Sequence, residues 1–192
     1  MGKTTVAGLL LEGGMPVVDS DELAREVVAP GTVAMDEIRR TFGAGFMAAD
    51  GSLDRAKMAG KVFADATARQ ALEAIIHPRV RALWMAQAAR WRAQQVPHAA
   101  VVIPLLYEVK AEGEMDQVLC VACTPATQRQ RLRARGWSDA QIEQRIHAQW
   151  PVEQKMARAD RVIWTEGSID VVRSQLFRLW PGQGKGVAPS VR

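Results

Sequence analysis

Met1-Gly2-Lys3-Thr4-Thr5 runs directly into Val6-Ala7-Gly8-Leu9-Leu10-Leu11, and after a break that contains Gly13 and Gly14 comes Val17-Val18-Asp19-Ser20-Asp21. A glycine, an ammonium and two hydroxyls at the head of an apolar helix suit a polyphosphate. Backbone N–H groups at the helix start cradle its oxygens, a lysine spans its terminal phosphates, and a hydroxyl holds Mg²⁺. Those roles fall to Gly2, Lys3 and Thr4. The second run reads as a buried strand ending in two carboxylates, at the strand end where open α/β sheets build their sites. Asp21 can there accept a proton from an attacking hydroxyl, and Asp19 can help order metal-bound water. The alternative is a plain cap, with Asp19, Ser20 or Asp21 starting a helix over 22–28. Paired with Lys3, the acids favour phosphoryl transfer.

Working outward, residues 15–19, 99–104, 118–123 and 161–164 are short, Val- and Ile-rich runs that read as strands. Helical segments alternate with them, which predicts a parallel α/β sheet with flanking helices. About 80 residues separate the first two strands, far more than an ordinary crossover, so a helical lobe is expected over about 22–97. Inside it, three- and four-residue spacing predicts helices over 33–42 and 67–76, with Asp50-Gly51 as a turn. A long helix is expected from Pro78 to Gln95, with Pro78 in its first turn and Val80, Leu83, Trp84, Ala88 and Trp91 along one face. Its tryptophans read as core.

The chain has 192 residues, 48% hydrophobic and 24% charged. That composition fits one folded domain over 1–180 and excludes extended disorder. The last twelve residues hold three glycines and two prolines and read as a flexible tail over 181–192. With no apolar run of membrane-spanning length and no signal segment, a soluble cytoplasmic protein is expected. The net charge of +4 matches the excess within residues 123–161 alone, where 8 basic minus 4 acidic residues give +4. Such a surface suits a polyanion, either a phosphate-rich small molecule or nucleic acid, although a solvated arginine face would look the same. Cys120 and Cys123 form a CxxC spacing within a buried strand, where an odd separation sends the side chains to opposite faces. They read as buried thiols rather than as a redox pair or zinc site.

Thr124-Pro125 and the capping-box pattern Ser138-Asp139-Ala140-Gln141 start the two helices that carry the basic segment, a lid region over about 125–158. On the first of them Arg131 and Arg135 share one face, and Arg129 and Arg133 share another. A lid helix uses such a pair to neutralise the oxygens of a transferring phosphoryl. For Arg129 and Arg133 a solvated face is an equal reading.

These residues together resemble the dephospho-CoA kinase family. The resemblance is carried by Gly2-Lys3-Thr4-Thr5, by Val17 to Asp21 with Leu23-Ala24-Arg25, and by Val28-Ala29-Pro30-Gly31. It continues through Phe42-Gly43, Asp50 to Arg55, Val62-Phe63, Leu72-Glu73 and His77-Pro78. It ends with Ile103 to Leu106 and Glu108, Gln128 to Arg135, and Ala159-Asp160 before Val162-Ile163. The resemblance implies a P-loop nucleotide-kinase-like parallel sheet, a helical CoA-binding lobe and a mobile lid. It implies transfer of the γ-phosphoryl of ATP to the ribose 3′-hydroxyl of dephospho-CoA, with Mg²⁺ and without nucleic acid or membrane partners. By position, Gly2, Lys3, Thr4, Thr5 and Arg135 would serve ATP, and Thr4 the metal. Asp21 would be the base, Arg131 the charge stabiliser beside Lys3, and Asp19, Arg25, His77 and Leu105 would lie near the CoA substrate. For His77 a helix cap before Pro78 is an equal reading.

Two departures stand out. The family usually has an Asn near Ile163, where this chain reads Trp164-Thr165-Glu166-Gly167. A full P-loop also has a first glycine five residues before Gly2 and a strand before that, so about a dozen residues are expected to be missing. That strand would be the middle one of the sheet, between 99–104 and 118–123. The chain as written is therefore expected to be poorly stable and to bind ATP weakly. The rival readings are another P-loop kinase, acting on a nucleoside monophosphate or other small molecule, and an inactive relative that only binds.

Overall fold

A computed structural model describes residues 1–181, so the tail expected over 181–192 lies outside the described residues except for Pro181. The chain forms two units: one holds Met1–Val17 and resumes at Pro104, and the other is Val18–Ile103.

In the second unit the strand β1 (Val17–Asp19) pairs with β2 (Ala100–Val102). Between them lie four helices, α2 (Ser20–Val27), α3 (Val33–Phe42), α4 (Arg55–Ala64) and α5 (Ala66–Ala93). Each opens on a polar cap: the side chains of Asp19, Thr32, Asp54 and Asp65 accept first-turn N–H groups, satisfying donors that a helix start leaves orphaned. Helices α2, α3 and α4 all pack on α5. The unit's core is Leu23 and Val27 of α2, Met35 and Ile38 of α3, and Ile75 and Trp84 of α5, all buried.

Helix α5 corrects two expectations. It runs unbroken through Pro78 for 28 residues, where separate helices over 67–76 and from Pro78 are expected. Proline removes one helical N–H and crowds the preceding turn. Here Arg79 Nη1 donates back to the Ile75 carbonyl at 2.6 Å and Nη2 donates to Glu37 Oε2 at 2.6 Å, so the turn around the proline is tied both to itself and to α3. His77 consequently lies within the helix, exposed, and is not a cap.

The first unit contains α1 (Lys3–Glu12), β3 (Leu119–Ala122), α6 (Pro125–Arg133), α7 (Asp139–His147), α8 (Val152–Arg158), β4 (Arg161–Trp164) and α9 (Ile169–Leu179). The basic segment thus carries three helices where the spacing predicts two. Strands β3 and β4 are parallel, with Cys120 opposite Val162 and Ala122 opposite Trp164. Helix α8 packs on β3, while α9 packs on β4 and α1. Cys120 and Cys123 are free thiols, both buried.

All four expected strands are present, but among the described residues they pair two by two, β1 with β2 and β3 with β4, each pair lying within its own unit. The first strand starts later than expected because Met15 belongs to the end of α1. Gly14 takes a left-handed φ of 83° and the Met15 N–H closes on the Leu10 carbonyl at 2.9 Å, a glycine-dependent helix stop. At the end of β4 one side chain covers the outer backbone groups of Trp164. Gln175 of α9 accepts the Trp164 N–H at 3.0 Å and donates to the Trp164 carbonyl at 2.9 Å. No helix among the described residues is long and apolar enough to cross a membrane.

Candidate active site

The turn that the sequence reading assigns to phosphate lies at the head of α1. Gly2 is the N-cap, with φ 83° and ψ 14° and no side-chain cap, and the first turn of α1 holds no acidic residue. No N-cap side chain therefore answers the first-turn N–H groups. A Cβ at Gly2 would sit 3.3 Å from Thr165 Cγ2 and Oγ1, so both the left-handed backbone and the close approach require glycine. Lys3 is half-buried, and Thr4 and Thr5 are exposed beside it. Burial holds the Met1 amino group below its ordinary value. The Cys123 thiol opposes that shift, and the charges of Lys3, Arg131 and Arg135 add to it.

Arg129, Arg131 and Arg133 of α6 have separate partners, while Arg135 lies exposed just past the helix. Arg129 forms a two-pronged pair with Glu143 of α7, at 2.6 and 3.2 Å, and Arg133 pairs with Asp139 at 2.7 Å. The hydrogen bonds to these carboxylates hold both guanidinium groups above their ordinary values. Arg145 lies over the Trp137 ring at 4.2 Å, a cation–π contact. Arg129 and Arg133 therefore fasten α6 to α7. Arg131, on the other face, points to the phosphate turn instead: Nη1 donates to Thr165 Oγ1 at 2.9 Å and Nη2 to the Thr165 carbonyl at 2.6 Å. The Thr165 hydroxyl lies 3.2 Å from the Met1 carbonyl.

The expected residues of the other unit are placed as follows. Asp19 ends β1 and accepts the Asp21 N–H at 2.8 Å, so the capping role is real and belongs to Asp19. Asp21 stands exposed in the first turn of α2, and Arg25 is exposed in its last turn. Leu105, in the first unit, is half-buried in the turn after Pro104 and takes the Val109 N–H on its carbonyl at 3.0 Å.

Sequence reasoning misses two features here. Glu166 accepts the Thr124 N–H and the Thr127 hydroxyl, the latter at 2.8 Å, and so grips the start of α6. The backbone bond from Thr124 leads the interactions that hold the Glu166 carboxyl below its ordinary value. The second feature is a buried ion pair, Lys155 Nζ to Glu108 Oε1 at 2.7 Å, with side chains only 9% and 16% exposed. It ties the 104–110 turn to α8. Burial pushes the Glu108 carboxyl up, but hydrogen bonds from Lys155 and from the Trp150 amide outweigh it and hold the group below its ordinary value. Neither feature has a local pattern; Glu166 and Thr165 are visible only as the departure at 164–167.

A depressed carboxylate contributes stability that is present above its unfolded pKa and is lost as pH falls through the folded one. For Glu108 the window lies below the ordinary glutamate value of about 4.3. Lys155→Met should cost about 3 kcal/mol at neutral pH, because it strands a buried charge. Below about pH 4 the difference from wild type should shrink. Urea unfolding at both pH values measures this, and a pH-independent difference would exclude the pair as its source.

No group of three or more His, Cys, Asp or Glu side chains that could hold a metal ion occurs among the described residues. A magnesium ion bound with a nucleotide takes only one or two protein oxygens, the rest coming from phosphate and water. The exposed Thr4 hydroxyl in the first turn of α1 suits that donor set.

A family model described as dephospho-CoA kinase matches residues 1–170. The chain is 45% identical over 198 residues to a dephospho-CoA kinase of Anaeromyxobacter dehalogenans, covering 100% of this chain and 94% of that one. It is 41% identical to one from Symbiobacterium thermophilum, covering 98% and 80%. The fold is similar to the crystal structure of TT1252 from Thermus thermophilus, with a TM-score of 0.80 at 36% identity over 93% of this chain and 90% of that one. It also matches the fold of a dephospho-CoA kinase from Campylobacter jejuni, with a TM-score of 0.69 at 20% identity over 93% and 89%.

Proposed function

The chain belongs to the dephospho-CoA kinase family, and from that premise we propose how its own residues perform the reaction. The reaction is transfer of the γ-phosphoryl of ATP to the ribose 3′-hydroxyl of dephospho-CoA. The turn Gly2-Lys3-Thr4-Thr5 receives the ATP phosphates, with N–H groups at the head of α1 and the Lys3 ammonium as donors. The Thr4 hydroxyl would hold Mg²⁺, which when bound would supply neutralisation of phosphate charge. Arg131 answers the charge that develops on the transferring phosphoryl, and Arg135 adds a second cation beside the nucleotide. Asp21 accepts the proton of the attacking hydroxyl. Asp19, Arg25, His77 and Leu105 serve the dephospho-CoA side, with α2 to α5 as the acceptor lobe and α6 to α8 as the lid.

The observation that supports this best is the placement of Arg131, whose guanidinium is bound to Thr165 within one hydroxyl's reach of the Met1 carbonyl. Lys3→Met should weaken ATP binding and lower turnover by roughly a hundredfold, measured by calorimetry and a coupled assay. In an acceptor panel with ATP and Mg²⁺, dephospho-CoA should be preferred over nucleoside monophosphates. Unchanged ATP affinity in the variant would remove Lys3 from the phosphates.

A further inference from the structure

We propose that Thr165 is a positioning residue for phosphoryl transfer, holding Arg131 at the phosphate turn in a fixed orientation. The proposal rests on the reading of Arg131 as the charge stabiliser and adds the residue that sets it in place. Thr165 directly follows β4 and is 4% exposed. Its N–H extends the β3–β4 ladder to the Ala122 carbonyl at 2.9 Å, so its backbone is part of the sheet.

The side chain joins three elements. Its Oγ1 lies 3.1 Å from the Ala122 carbonyl, 3.2 Å from the Met1 carbonyl and 2.9 Å from Arg131 Nη1. A hydroxyl has one proton and two lone pairs. The oxygen accepts from Arg131 while its proton is shared between the carbonyls at the end of β3 and at the start of the phosphate turn. The second Arg131 bond, Nη2 to the Thr165 carbonyl at 2.6 Å, fixes the plane of the guanidinium, since two points on one residue define its tilt.

The acceptors matter as much as the geometry. Arg129 and Arg133 are paired with the carboxylates of Glu143 and Asp139. The hydrogen bonds that hold Arg131 go to a neutral hydroxyl and a neutral carbonyl, and among the described residues its charge is felt by the nearby Glu166 carboxylate without a direct bond to it, so the remainder of its fork is offered to phosphoryl oxygens. The next residue reinforces the arrangement. Glu166 grips Thr124 and Thr127 at the start of α6, so consecutive residues after β4 hold both the first turn of that helix and its arginine. Gly2, whose missing Cβ admits the Thr165 side chain, completes the fit. An arginine oriented before the nucleotide arrives loses less freedom in the transition state.

The test compares Thr165→Val, which keeps the shape and loses the hydroxyl, with Thr165→Ser, which keeps it, in the full chain. T165V should lower kcat roughly tenfold to a hundredfold, as expected for one lost hydrogen bond to a charged group, and leave both KM values within about threefold. T165S should stay within about threefold of wild type. Equal kcat in T165V and T165S, or a loss confined to KM, overturns the proposal. Arg131→Ala separates the failures. If R131A turns over like wild type, the role of Arg131 falls and the proposal with it. If R131A is slow while T165V is not, only the link through Thr165 falls. In the double variant the losses should be strongly non-additive; simple addition overturns the link. Should T165V fail to fold, nitrogen-15 NMR of the wild-type protein decides. Arg131, assigned by the loss of its signals in R131K, should show hindered guanidinium rotation, and free rotation overturns the proposal.

Discussion

Arg131→Ala should lower kcat on the order of a thousandfold while changing the KM for ATP much less. The transferring phosphoryl spreads charge over its oxygens most fully in the transition state, so a cation aimed at it stabilises that state more than the bound substrate. Arg131→Lys should recover only part of the loss, since an ammonium cannot reproduce the two bonds to Thr165 and still face a phosphate with a fork. The neighbouring arginines supply the control. Arg129→Ala and Arg133→Ala break contacts with Glu143 and Asp139, so their effect should fall on the α6–α7 hairpin rather than on chemistry. Steady-state kinetics of the three alanine variants checks this. Equal losses in all three would mean that general positive charge, and not one placed guanidinium, assists the reaction.

Asp21→Asn should lower kcat by about two to four orders of magnitude with ATP affinity retained, because the amide cannot take the proton of the ribose hydroxyl. The fold should barely notice. The cap of α2 is the Asp19 carboxylate on the Asp21 backbone N–H, and that bond survives a change of the Asp21 side chain. A melting temperature near that of wild type with turnover abolished would support the role of base. Full turnover in D21N would end it.

What could be read in the chain beforehand was what its chemistry expresses locally. The glycine-lysine-threonine run announces a helix start after Gly2, and Thr124 and Ser138 announce helix starts that the structure confirms with side-chain hydrogen bonds. The split of the lid arginines into two faces follows from spacing alone, and the contacts to Glu143, Asp139 and Thr165 give each face its partner. Asp19 and Asp21 were ambiguous because the same carboxylates that suit catalysis suit an N-cap. The structure gives the cap to Asp19. Pro78 misleads because proline is at home in a first turn, while the Arg79 contact that ties this part of α5 to α3 depends on Glu37, 42 residues away. The Glu108–Lys155 pair, Glu166 on Thr124 and Thr165 on Arg131 share that character. Their partners are separated by tens of residues, and no periodicity or short motif links such positions before the chain has folded.

The Gln175 carboxamide on the outer margin of β4 carries a consequence for the protein in concentrated solution. Trp164 would otherwise present a bare donor and acceptor beside the exposed Val162 and its own exposed ring, the combination on which a foreign chain can template itself. With the amide answering both groups, an intruding strand gains no ladder bond at Trp164 without displacing it. One glutamine on α9 thereby discourages self-association where the backbone itself offers no barrier.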